Sequence, residues 1–135
     1  MSGSDKEPPE SIRLLLVDDE QGYVQVLCKR MARRDIRVTA ALSGSEAIQR
    51  LRREEFDVAV LDLKMEDMDG IEVLKVFKKM DPAMPVIMLT GHGSETAARE
   101  GMEYGAFDYL TKPCDLEELL EKILQAHRRA SSSSS

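Results

Sequence analysis

Five short runs in which almost every position is apolar alternate with five longer stretches in which apolar residues recur every three or four positions. The first run, 12–17, is cut off by Asp18-Asp19, and Val24, Leu27, Cys28 and Met31 follow at helical spacing. A weaker β-branched run, 36–40, leads to Ser43-Gly44-Ser45-Glu46, which has the form of a capping box. The helix it opens has Ala47, Ile48 and Leu51 on its buried face. Residues 58–61 are apolar throughout, as in a strand covered on both faces. Val73, Leu74 and Phe77 mark a third helix, stopped by Asp81-Pro82, and the run 85–89 ends at Thr90-Gly91. The next helix, near 95–104, has only Ala97, Ala98 and Met102 as anchors, and its Gly101 costs about 1 kcal/mol of propensity relative to Ala. A short strand at 106–110 and a capping sequence, Asp115-Leu116-Glu117-Glu118, precede a last helix with Leu116, Leu119, Leu120, Ile123 and Leu124 on one stripe.

Five strand–helix units with doubly apolar strands predict an α/β protein, a parallel sheet between two helical layers. Right-handed crossovers restrict the topology. A flavodoxin-like (βα)5 sandwich with strand order 2-1-3-4-5 puts the densest runs, the first, third and fourth, at the centre and the weaker ones at or near the edges. The pattern predicts a single domain over 12–129 with no internal repeat. Segment 1–11 is polar and 130–135 is Ala followed by five serines, and both are expected to be disordered.

Composition narrows the class. The chain has 135 residues, 42% of them apolar, with 4% aromatics and no Trp, so the core must be aliphatic. A formal charge of −6 without a basic tract argues against direct nucleic-acid binding. Arg33-Arg34, Arg52-Arg53 and Lys78-Lys79 fall at predicted helix ends, where they complement the helix dipole. Cys28 and Cys114 show no disulfide or metal spacing and are expected to be reduced, and His92 and His127 are too far apart in sequence for a ligand pair. No apolar stretch is long enough to span a bilayer and the N-terminal residues do not resemble a signal peptide, so a cytoplasmic location is expected.

In an open parallel sheet, ligands bind beyond the carboxyl ends of the strands. Asp18 and Asp19 stand there after the first run, Asp62 after the third, Thr90 after the fourth and Lys112 after the fifth. Singly, each has an ordinary structural reading: a helix cap for Asp18 or Asp19, a turn for Asp62, loop dipeptides for Thr90-Gly91 and Lys112-Pro113. Together they place three carboxylates, a hydroxyl and an ammonium on one rim. Mutually repelling carboxylates are relieved by a hard divalent cation, and Mg²⁺ suits a few carboxylates plus water and phosphate oxygens. Lys112 can neutralise an incoming anion and Thr90 can donate to it. That combination is what phosphoryl transfer to a carboxylate requires.

The segments Leu14-Leu15-Leu16-Val17-Asp18-Asp19-Glu20, Asp62-Leu63-Lys64-Met65 with Met68-Asp69-Gly70, Leu89-Thr90-Gly91 and Gly105-Ala106-Phe107-Asp108-Tyr109-Leu110-Thr111-Lys112-Pro113 resemble those of response-regulator receiver domains over about 12–129. The resemblance implies that Asp62 accepts the phosphoryl group. It implies that Asp18, Asp19, Asp62 and the backbone carbonyl of Lys64 hold Mg²⁺, with Asp19 the more direct ligand and Asp18 acting partly through water. It further implies that Thr90 and Lys112 contact phosphoryl oxygens, that Tyr109 is the switch aromatic, and that the bond before Pro113 is cis. Implied partners are a sensor histidine kinase or phosphotransfer protein as donor, and a downstream effector domain or protein or a second copy of the domain as output. The chain would then be a signalling switch that catalyses its own phosphorylation and dephosphorylation. The segment 105–110 looks more like receivers attached to nitrogen-regulator-type transcription factors than like those of the winged-helix class.

One departure is Glu66, where the family usually has proline. With Asp67 and Asp69 it makes the loop more acidic, and a strengthened attraction for the cation is expected. Cys114 replaces a larger apolar residue and reads as a small core filler. Lys64 and His92, each two residues past a site residue, are candidates for tuning the phosphoryl lifetime. A haloacid-dehalogenase-type phosphatase is the rival enzyme class. Its two catalytic aspartates stand one residue apart, whereas Asp18 and Asp19 are adjacent and no cap domain is present. An inert module of the same fold is disfavoured because no member of the acidic set is missing.

Overall fold

The computed structural model describes residues 11–91 and 95–133. Strands β1 (Ile12–Val17), β2 (Ile36–Ala41), β3 (Val58–Asp62), β4 (Val86–Thr90) and β5 (Asp108–Thr111) alternate with helices α1 (Gln21–Ala32), α2 (Gly44–Arg53), α3 (Gly70–Met80), α4 (Glu95–Glu103) and α5 (Leu116–Ser133). The strands form one sheet in the order β2-β1-β3-β4-β5, and every pair is parallel, as the run pattern predicts.

Strand side chains alternate between the two faces, so each central run feeds two cores. Leu15, Val17, Ala59, Leu61, Val86 and Met88 pack with Leu51 of α2 and Val73, Leu74 and Phe77 of α3. Leu14, Leu16, Val58, Val60, Ile87 and Leu89 pack with Leu27 and Met31 of α1 and Leu119 and Ile123 of α5. All five residues of β3 and of β4 are buried, and apolar side chains on both faces explain why those runs have no alternation. Among the described residues no helix is long and apolar enough to cross a membrane.

Local chemistry sets the helix ends. Ser43 accepts from the Glu46 amide, the first half of the predicted box, but the Glu46 carboxylate turns to the amide of Leu42, one residue before the cap. At α5 the Glu118 carboxylate accepts from the Asp115 amide. Gly101, unfavourable by propensity, has a packing reason in α4: a Cβ there would lie 2.2 Å from Met88 Sδ on β4. Gly70 likewise lets the start of α3 approach the Leu63 backbone, where a Cβ would sit 2.4 Å from its Cα.

The expectation that 130–135 is disordered requires correction, because α5 continues to Ser133. Neither Gly nor Pro follows Arg129, and a helix already nucleated extends through serines at a small cost per residue. Positions 134–135 lie outside the described residues, as do 1–10 of the predicted N-terminal segment and the candidate tuning residue His92.

Candidate functional site

The sheet ends its strands on polar residues, and the helices that would bury them start only after a loop. Asp18 follows β1, Asp62 and Thr90 are the last residues of β3 and β4, and Lys112 follows β5. Asp62 pairs in register with Leu89, and Thr90 with Thr111, so the carboxyl ends of the three strands lie side by side. Asp18, Asp62 and Thr90 are the buried polar residues of the described chain, at 0%, 6% and 3% exposure.

Asp18 and Asp62 are held in the same way. Oδ1 of Asp18 accepts from the Glu20 amide at 3.0 Å, and Oδ1 of Asp62 accepts from the Lys64 amide at 3.1 Å. Each carboxylate thereby closes a local turn with one oxygen and presents the other, Oδ2, to Lys112 Nζ, at 2.9 Å from Asp18 and 3.5 Å from Asp62. Neither Asp18 nor Asp19 serves as the cap of α1, whose N-cap is Glu20 without a side-chain capping bond. Burial pushes the Asp62 carboxyl above its ordinary pKa and the charge of Asp18 adds to this, against the opposing pull of the Lys64 amide and the Lys112 ammonium. Burial disfavours the charge on Lys112, but the bond to Asp18 and the charges of Asp62 and Asp18 outweigh it and raise its pKa.

Asp19 differs from both. It is exposed, and its hydrogen-bond partner is the Glu66 amide, 3.3 Å from Oδ2. One carboxylate oxygen from each of Asp18, Asp19 and Asp62 falls within 4.8 Å of the others. This all-oxygen set of anionic donors, with two members buried, fits a hard divalent cation such as Mg²⁺ and offers nothing to a soft metal.

The remaining candidates occupy the rim in different ways. Thr90 Oγ1 lies 3.5 Å from the Leu110 carbonyl, a long contact that leaves the hydroxyl easily redirected. Tyr109, on β5 beside Met88 of β4, is 41% exposed. The Lys112–Pro113 bond is cis. Lys64 is exposed, and its residue pairs with Asp69 in an antiparallel bridge that closes the loop after β3.

Sequence reasoning missed the contacts of three residues here. Glu20 accepts from Lys112 Nζ at 3.1 Å, and the Tyr23 ring lies 4.7 Å from the same ammonium. Burial, with Cys114 beside it, pushes the Tyr23 hydroxyl up to about 12. Glu20 and Tyr23 are three apart at the start of α1, a spacing that puts both near the rim. The third residue is Asp67, in the acidic loop. Its carboxylate accepts from the amides of Gly44 and Ser45, at 2.9 and 3.1 Å, and from Ser45 Oγ at 3.0 Å, while Asp69 accepts from the Ile71 amide. Two of the three loop acids are therefore bonded to helix N-termini, because four unpaired N–H groups at each helix start draw them there.

Comparison with known proteins agrees with this geometry. Residues 14–124 match the family model described as the response regulator receiver domain. The chain is 41% identical to the transcriptional regulatory protein GlrR of Escherichia coli (strain K12) over 82% of its own length and 25% of that protein's. It is 36% identical to the transcriptional regulatory protein ZraR of Klebsiella oxytoca over 92% of its length and 28% of that protein's. The chain thus spans about a quarter of these curated relatives. Among solved structures, the CheY-like receiver domain protein from Methanospirillum hungatei JF-1 superposes with a TM-score of 0.87 at 30% identity, covering 90% of this chain and 98% of that one. The receiver domain of the Francisella response regulator 1452 gives 0.81 at 32%, covering 87% and 98%. With a family match across most of its length and the same sheet order, the chain belongs to the response regulator receiver domain family.

Proposed function

We propose that this receiver domain takes a phosphoryl group onto Asp62 from a phosphohistidine of a sensor histidine kinase or phosphotransfer protein. The observation that carries the reading is Lys112 Nζ lying between Oδ2 of Asp18 and Oδ2 of Asp62 on one buried rim, with Asp19 alongside. In-line attack by an Asp62 oxygen forms the P–O bond as the P–N bond to the donor imidazole breaks, and the imidazole leaves with its electron pair. Lys112 then exchanges part of its contact with Asp18 and Asp62 for phosphoryl oxygens. Thr90, whose hydroxyl is loosely held, turns to donate to the same anion.

Asp18, Asp19, Asp62 and the backbone carbonyl of Lys64 would hold Mg²⁺. When bound, the ion neutralises the clustered carboxylates and the transferring oxygens. The half-exposed Tyr109, two residues before the Thr111 that pairs with Thr90, would follow the threonine inward and remodel the surface of α4, β5 and α5. That surface would act on a downstream effector or on a second copy of the domain. That GlrR and ZraR are transcriptional regulatory proteins supports a transcriptional output.

The test is phosphorylation by acetyl phosphate with Mg²⁺, read by intact mass and by acid and base stability of the adduct. A single base-labile phosphoryl group, lost in Asp62→Asn, is expected. Label retained in that variant overturns the assignment.

A further inference from the structure

The third carboxylate of the cluster is held differently from the other two. Asp18 and Asp62 are buried, and each is fixed at both oxygens: by the amide two residues on at Oδ1, and by Lys112 at Oδ2. Asp19 is exposed, does not reach Lys112, and meets one donor among the described residues, the backbone N–H of Glu66. An exposed aspartate without that bond samples its rotamers freely, and a ligand must then restrict it on binding.

The Glu66 amide is itself anchored from outside the rim. The next residue, Asp67, places three hydrogen bonds on the N-terminus of α2 through Gly44 and Ser45. On the other side, Met65 and Met68 pack against the core between the sheet and α2–α3. The bridge between Lys64 and Asp69 closes the base of the loop. A continuous path of contacts therefore runs from the start of α2 through Asp67 and the Glu66 amide to Oδ2 of Asp19.

We propose that this loop is a clamp that pre-orients Asp19 for the divalent cation, with Asp67 as a positioning residue acting through the Glu66 backbone N–H. The inference rests on the Mg²⁺ reading given above. It assigns the contribution of position 66 to its amide, which any residue except proline supplies, and not to its carboxylate, which is exposed and has no partner among the described residues. Asp67, despite its charge, serves the cation through hydrogen bonds to α2.

The experiment compares Mg²⁺ affinity, by titration calorimetry at fixed ionic strength, in the wild-type chain and in Glu66→Ala, Glu66→Pro, Asp67→Ala and Asp67→Asn. Glu66→Pro is expected to bind Mg²⁺ more weakly than Glu66→Ala by a factor of about 2 to 10, the range for immobilising one side chain. Asp67→Ala should weaken binding to a similar degree, and Asp67→Asn should recover part of it because its side-chain oxygen still accepts from an amide. Equal affinities in Glu66→Pro and Glu66→Ala overturn the clamp in favour of charge alone. Amide spectra of the metal-free chain give a readout independent of the ion and of folding in the proline variant. The Glu66 amide proton should move upfield in Asp19→Ala and in Asp67→Ala, and a resonance unmoved in both overturns the proposal. A wild-type chain that binds no Mg²⁺ while these amide shifts appear would overturn the Mg²⁺ reading and the purpose of the clamp, leaving only the contact.

Discussion

Paired groups in this chain are used both to hold the scaffold and to build the rim, and Arg13 with Asp57 shows the first use. The Asp57 carboxylate receives Nε and Nη2 of Arg13 at 3.1 and 3.0 Å and the Arg13 amide at 2.8 Å, joining β1 to the turn before β3. Burial would raise the Asp57 pKa, but the Arg13 side-chain and backbone bonds and the Arg13 charge outweigh it and hold the carboxyl below its ordinary range. A carboxyl depressed on folding contributes stability in full above its unfolded pKa of about 3.9, and that contribution is lost as pH falls through the lower folded value. Asp57→Asn should therefore lower stability by about 1–2 kcal/mol at pH 7, a discounted figure for a partly exposed charged pair. The deficit should shrink below about pH 4, as urea midpoints at pH 7 and pH 3 would show. A constant deficit at both values would assign the loss to packing. Single residues of the candidate site were legible in the sequence for a related reason: a polar residue ending an apolar run has few alternatives to the strand-end rim. Asp18, Asp62, Thr90 and Lys112 were found in this way. Glu20, Tyr23 and Asp67 were not, because which atom a loop or helix-start side chain meets depends on crossings that no local pattern encodes.

At the scale of elements, α4 combines weak anchoring with a tight contact. Its buried residues are Ala98 and Gly101, and the glycine lies against Met88 of β4. Helix propensity alone predicts that Gly101→Ala stabilises α4 by about 1 kcal/mol. The added methyl would instead sit 2.2 Å from Met88 Sδ and 2.8 Å from its Cε, so the methionine or the helix must shift. We expect a net loss of about 1–3 kcal/mol in a chemical-denaturation series. Adding Met88→Ala should make the pair non-additive, with the second change costing less in the Gly101→Ala background than alone. Full additivity would show that α4 already moves away from β4 without strain. The sequence revealed α4 as the least supported helix and gave its span to within a residue, since periodicity survives a single glycine. It could not give the reason for the glycine, which is a contact between elements. The same limit applies at α2, where the Ser43–Glu46 pattern marked the helix start correctly while the second hydrogen bond of the box went to Leu42.

At the scale of the whole molecule, the strand order was legible because density of apolar residues orders strands from centre to edge in a doubly covered sheet. The end of α5 was not, because a serine run has no strong stop signal. The sheet order brings Lys112 from β5 across to Asp18 from β1, residues 94 positions apart. This ammonium contacts two of the carboxylates that would hold Mg²⁺, so on the proposed function lysine and ion would compete for them. Lys112→Ala should therefore have opposite effects on two measurements. Without Mg²⁺ the variant should be less stable by about 1–3 kcal/mol, less than for a fully enclosed pair because Lys112 is 20% exposed, since Asp18, at 0%, loses its cation. Mg²⁺ should then bind more tightly than in the wild-type chain and raise Tm by more at equal concentration. By linkage, an ion present at one hundred times its dissociation constant adds about 2.7 kcal/mol. Phosphoryl uptake from acetyl phosphate should nonetheless fall, because the group that meets the incoming oxygens is gone. Thermal melts across a Mg²⁺ series, with phosphorylation measured on the same samples, separate these effects. If affinity for Mg²⁺ and phosphoryl uptake fall together, Lys112 is organising the carboxylates for the ion and is not competing with it.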